Sequence, residues 1–189
     1  MIKVLTKEHL RKRFDELIDG IDDIKPTNFW FWVSGECLNK NEERLDLLAG
    51  KSLEGRSGWT CDENTKIGDL AVLYRTLPKS DVKYIIQIRS NPKIEENDAE
   101  SGMLHCDCYI IYQFNNTLKS TKMKSNSILK NSKPVRRNFQ GQNGIHDLTS
   151  EEWIEINELL TDENPDYSVL LDYLYNRMPS LSQYFRLNK

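Results

Sequence analysis

Four runs of aromatic and β-branched residues limit what this chain can fold into: NFWFWVS at 28–34, DLAVLYRT at 69–76, VKYIIQIRS at 82–90 and MLHCDCYIIYQF at 103–114. Each is bounded by residues that favour turns, and each reads as a strand. The first is apolar at nearly every position, so it belongs in the middle of a sheet. Alternation sends Phe29, Phe31 and Val33 to one face and Trp30, Trp32 and Ser34 to the other. TKIGD and PKSD are turns into the second and third runs, and the acidic NPKIEENDAESG is a loop before the fourth. Strand–turn–strand spacing of this kind predicts a meander or a small barrel.

Helices flank these strands. Leu5, Leu10, Phe14 and Leu17 recur at helical spacing over residues 3–20, with Gly20 as the stop. NEERLDLLAG predicts a short helix ending at Gly50, followed by a glycine-rich loop that leads into Trp59. LTSEEWIEINELL at 148–160 is a helix with a capping box, Thr149 with Glu152 three residues on. YSVLLDYLYNRM at 167–178 is a last helix. The class is therefore α+β. With 189 residues one domain is expected, divided here into a helical extension at 1–27, a barrel domain at 28–162 and a helix packed on it at 163–189.

Apolar residues make up 38% and charged residues 29%, and no run is long enough to span a bilayer. The start, MIKVLTKEHLRKRFDEL, has no apolar core of a secretory signal. A cytoplasmic protein with reduced thiols is the expectation for Cys37, Cys61, Cys106 and Cys108. Cys106 and Cys108 stand two apart on a strand and would face one side as small apolar groups. No second pair completes a zinc set, so neither metal nor cofactor is expected.

The net charge is −3, yet residues 115–143 contain no acidic residue and seven basic ones. Lysine and arginine gathered in this way suit a phosphate backbone, where they displace counterions. The candidate phosphate ligands are Lys119, Lys122, Lys124, Lys133, Arg136 and Arg137, with Asn138 and Gln140 beside them. A solvated loop is the plain alternative. Of the four tryptophans, Trp59 follows glycines and precedes a polar stretch, a setting in which a base could stack on it. His9, His105 and His146 sit in no recognisable catalytic pattern, and no nucleophile or phosphate-loop motif is present, so an enzyme is not expected.

Taken in order, NFWFWVS, SGWTC, KIGDLAVLYRT, YIIQIRSNP, CYIIYQF and PVRRNFQGQNGIHDLTSEEWIEI resemble the EVE family of the PUA-like superfamily, related to YTH domains. The resemblance covers roughly residues 28–160. It implies a β-barrel of five to six strands flanked by helices, with an aromatic-walled pocket for a flipped or modified base. Trp59 and Ser34 would line that pocket, with Trp30, Trp32 and Asn28 near them. YTH domains draw a second wall from the loop that is AESGMLHC here, where Met103 or Leu104 would serve. The implied partner is DNA or RNA, modified or not, with room for a partner nuclease and none for a membrane. Two other readings stand beside it: an ASCH-like hydrolase or ribonuclease, and a protein-interaction module.

Overall fold

A computed structural model describes residues 7–34, 52–53, 59–94, 102–140 and 144–185. The expected helix at 41–50, and Leu5 and Cys37, lie outside these residues. Helix α1 (Lys7–Ile18) precedes strands β1 (Phe29–Ser34), β2 (Ser52–Leu53), β3 (Trp59–Thr60), β4 (Leu70–Arg75), β5 (Asp81–Ile88), β6 (Lys93–Ile94), β7 (Leu104–Cys106) and β8 (Cys108–Lys119). Helix α2 (Ser120–Ser125), a 3-10 turn (Leu129–Asn131) and helix α3 (Lys133–Arg136) follow. Then come β9 (Ile145–Leu148) and helices α4 (Ser150–Glu163), α5 (Pro165–Arg177) and α6 (Pro179–Ser182).

The fold is α+β, but the strands do not close into the expected barrel. The large sheet has the order β2-β8-β5-β4-β1-β9, with β1 parallel to β4 and every other pair antiparallel. No ladder joins its edges, β2 and β9, among the described residues. The expected single strand at 103–114 is also divided. It breaks at Asp107: β8 stays in the large sheet, while β7 pairs with β3 and β6 in a second sheet of three strands. Trp59, expected in a loop, begins β3.

The apolar run of β1 is explained by cover on both faces. Phe29 and Phe31 join a core built with α1, α4, α5 and α6. Trp30 and Trp32 join a second core with Leu73, Tyr84, Ile86, Cys61, Cys106 and Cys108, against which Trp59 and Leu104 pack. The alternation predicted for β1, and the shared side of Cys106 and Cys108, are both found. Trp153 is fully buried and stacked on Phe29, with centroids 5.2 Å apart. The capping box at Thr149 and Glu152 forms as expected.

Both terminal segments belong to the first core. Tyr109 donates its hydroxyl to the Leu17 carbonyl at 2.9 Å, and Arg177 pairs with Asp15 at 2.8 Å. Gly20 ends α1 where a Cβ would stand 2.3 Å from the Tyr109 ring, so this close approach admits no side chain. No helix among the described residues is long and apolar enough to cross a membrane.

Candidate functional site

The tryptophans of β1 and β3 meet between the two sheets. Trp32 and Trp59 are parallel to within 7°, with centroids 6.2 Å apart. Trp32 is fully buried and Trp59 half-buried. Two residues along β1, and on the same face as Trp32, Ser34 is buried. Neither its Oγ nor the Trp32 Nε1 has a hydrogen-bond partner among the described residues. Buried polar atoms are normally paired, so two adjacent orphans mark a place where a polar ligand edge would be welcome. Cys106 Sγ reaches the Trp59 carbonyl at 3.8 Å, tying β3 to β7 beneath the indole. Leu104 is half-buried beside this pair, and Met103 is exposed.

Trp30 and Asn28 are held by a different group. The carboxylate of Asp69 is fully buried at the start of β4. It accepts from the amides of Thr27 (3.0 Å), Asn28 (2.8 Å) and Lys66 (2.9 Å), from Asn28 Nδ2 (2.9 Å) and from Trp30 Nε1 (2.9 Å). Asn28 Nδ2 also donates to the Asn64 carbonyl at 3.0 Å. These two side chains fasten β1 to the turn before β4, whereas Trp32, Ser34 and Trp59 carry the unpaired polar and aromatic surface.

The basic segment wraps the end of the large sheet as α2, the 3-10 turn and α3. Its cations divide into two groups. Lys119 donates to Asp81 at 2.7 Å, Lys122 pairs with Glu163, and Lys133 pairs with Asp147. Arg136 and Arg137 are exposed with no ion pair among the described residues. Lys124 is exposed, donates to Asn138 Oδ1 at 2.8 Å and lies 5.7 Å from the Phe139 ring centre. Gln140 is exposed next to it.

Two surface clefts border this segment. One, about 410 Å³, lies between α3, β9 and the start of α4, where Lys133, Arg136 and Arg137 face Asp147 and Glu152. The other, about 460 Å³, lies over Tyr74 and Phe139, whose rings stack with centroids 4.4 Å apart. Burial pushes the Tyr74 phenol above its ordinary value, although the hydroxyls of Ser80 and Ser120 bond to it and partly oppose the shift. Asn138 and Phe139 shape this second cleft with positive φ angles of 51° and 59°. The sequence reading missed Tyr74, Ser80, Ser120 and Phe139 as lining residues. Its only hint was their neighbourhood, PKSD and RNFQ, because positive φ at a phenylalanine leaves no mark in composition.

His146 is buried, with both ring nitrogens unpartnered among the described residues. It stands opposite Phe31 on β1, on the helix-covered face and away from Trp32 and Ser34. Burial, and then Lys133 and Arg137, hold its imidazole below the ordinary value. Among the described residues no group of three or more His, Cys, Asp or Glu could hold a metal ion.

No family model matches the chain, and no curated protein matches it. Its fold is similar to that of Rpa0253 from Rhodopseudomonas palustris, with TM-score 0.54 and 15% identity, covering 74% of this chain and 94% of that one. It is also similar to a hypothetical protein from Leishmania major (TM-score 0.56, 10% identity, 72% and 96% covered). PSPTO5229 from Pseudomonas syringae is a third (TM-score 0.55, 15% identity, 69% and 98% covered). At such identities the likeness is one of fold alone.

Proposed function

We propose that this chain is a non-catalytic nucleic-acid-binding domain of the EVE type that accepts one everted base, modified or not, beside Trp59. The observation that carries the reading is the parallel Trp32–Trp59 pair with the unpartnered Ser34 Oγ and Trp32 Nε1 on the same face. A base is apolar on its faces and polar at its edge, and this arrangement offers a counterpart to each. A base between the rings needs about 7 Å, twice a contact distance of ~3.5 Å. The ring centres stand 6.2 Å apart, so the rings must part to admit a base, and Trp59 is the half-buried partner that can move. Eversion from a duplex costs about a few kcal/mol, which favours single strands or weakened pairs.

The exposed Arg136, Arg137 and Lys124 supply positive charge for the backbone. Against a hydrolase, the unpartnered His146 is on the far face from the slot. The same reading places the protein in the cytoplasm and leaves room for a partner nuclease.

Fluorescence anisotropy tests it. The probes are single- and double-stranded DNA and RNA oligomers whose central base is cytosine, 5-methylcytosine, 5-hydroxymethylcytosine, adenine or N6-methyladenine. The expected result is a preference for single strands that depends on the central base and is lost in Trp59→Ala. Equal, steeply salt-dependent binding of every oligomer by both proteins would overturn it.

A further inference from the structure

The two clefts beside the basic segment differ in a way that assigns them different tasks. In the cleft by α4, Lys133 is paired with Asp147, and the Glu152 carboxylate accepts the Thr149 amide. Its cations face carboxylates, and an incoming phosphate would meet both signs. In the groove over Tyr74 and Phe139, Lys124 is the single charged residue on the walls among the described residues. The rest of its polar lining is hydroxyl and amide: Thr76, Ser80, Ser120, Asn138 and Gln140. One cation among neutral donors, with no carboxylate, suits a single phosphate and its sugar.

Position agrees with composition. The Thr76 amide donates to the Ser34 carbonyl at 3.4 Å, so the groove begins where β1 and β4 end. Trp32 and Ser34 face the small sheet, while Phe31, Tyr74 and Phe139 are on the opposite face. A strand whose base enters beside Trp59 would carry its backbone round these strand ends to reach the groove. Asn138 Oδ1 accepts from Lys124, which leaves the Asn138 amide protons and the remaining Lys124 protons to donate.

We infer that the groove formed by Tyr74, Ser80, Ser120, Lys124, Asn138 and Gln140 is the subsite for the sugar–phosphate unit flanking the everted base. Lys124 and the Asn138 amide hold the phosphate, and the serine hydroxyls face the sugar. This rests on the reading of the chain as a base-accepting nucleic-acid binder and names the contact that fixes the strand's register.

The test takes the tightest-binding single strand of the series above and replaces its phosphates one at a time by neutral methylphosphonates. Each strand is titrated against the wild type, K124Q and N138D. Lys124 is exposed, and aspartate tolerates the positive φ of Asn138, so both variants fold. The expected result is one sensitive phosphate next to the central base, costing about tenfold in affinity for a charge-assisted contact. K124Q should cost the same, with no further loss when the two changes are combined, and its salt slope should fall by about 0.7. N138D, which puts a carboxylate into the groove, should weaken the same contact. If Trp59→Ala abolishes binding but no phosphate position couples to K124Q, the base slot stands and the groove assignment is overturned. If no strand of the series binds the wild type, both fall.

Discussion

Replacing Asp69 by asparagine isolates the group on which the first strand hangs. The carboxylate is fully buried and accepts five hydrogen bonds, two at Oδ1 and three at Oδ2. An amide keeps one acceptor and turns the other into a donor. In its best orientation the oxygen serves Asn28 Nδ2, Trp30 Nε1 and the Lys66 amide. The new NH2 then confronts the backbone amides of Thr27 and Asn28. Two bonds to a charged group are lost, at about 1.5 kcal/mol each, so Asp69→Asn should cost at least about 3 kcal/mol. In a chain of this size that is a fall of roughly 6–12 °C in Tm. Urea unfolding followed by tryptophan fluorescence measures it, with a lower midpoint and an unchanged slope. Trp30→Phe should cost about 1.5 kcal/mol alone and less in the Asp69→Asn background, where the bond it removes goes to a neutral amide oxygen instead of a carboxylate. It should leave oligonucleotide affinity as it is, because the indole N–H already serves Asp69. A loss below about 1 kcal/mol for Asp69→Asn would mean that water reaches the Thr27 and Asn28 amides, and the reasoning would fail.

Three further outcomes are expected. Burial resists ionisation of Asp81, but bonds from Arg75 (2.7 Å), Lys119 (2.7 Å) and Thr117 (2.6 Å) outweigh it and hold the carboxyl below the usual range. Its stabilisation is therefore complete above the unfolded value of about 3.9 and lost as pH falls through the lower folded value; Asp81→Asn should flatten that acid limb of a stability–pH profile and lower stability by taking the carboxylate away from buried Arg75. For His146, held low mainly by burial, the unfolded chain takes up a proton first, so stability should drop as pH falls below about 6.5 until the folded value is reached; His146→Phe should remove that slope in urea titrations. Cys61, Cys106 and Cys108 are buried, so maleimide labelling should be slow until urea is added. Of these three, peptide mapping should then find Cys61 labelled first in the native protein, because the neighbouring Cys106 thiol lowers its thiol against the effect of burial, whereas burial pushes Cys108 up to about 12.

Strand content was legible because period-two alternation and β-branched residues act locally. Phe31 and Trp32 could be sent to opposite faces from spacing alone, and both faces proved to be covered. The division into two sheets was not legible, because it depends on where one strand changes partners. Asp107 is the one charged residue in its run, and its amide bonds to Ser90 Oγ at 2.8 Å while β7 and β8 go to separate sheets. A charged residue at one position reads equally well as the outward side of a continuous strand. Trp59 was picked out by its glycines. Its partner Trp32 could not be distinguished from Trp30, since the difference lies in Asp69, thirty-nine residues away from Trp30 in sequence.

The basic segment shows why a charge count overstates a binding surface. Seven cations without an intervening acid look like one stripe, but the acids that neutralise them come from elsewhere in the chain: Asp81 on β5, Asp147 on β9 and Glu163 at the end of α4. Those pairs anchor the segment to the sheet and to α4. An exposed pair of this kind is worth about 0–1 kcal/mol, so a phosphate could displace Lys122 or Lys133 at small cost. Lys119 is different, because its partner Asp81 is fully buried and also holds Arg75. Taking Lys119 away would leave that carboxylate with one cation fewer. Charge reversal at Arg136 and Arg137 should therefore weaken oligonucleotide binding with little effect on unfolding, while Lys119→Glu should lower stability before it is informative about binding. If Lys119→Glu left the urea midpoint unchanged and removed oligonucleotide affinity, Lys119 would belong with the ligand-facing cations, and the division between anchoring and ligand-facing residues would be wrong.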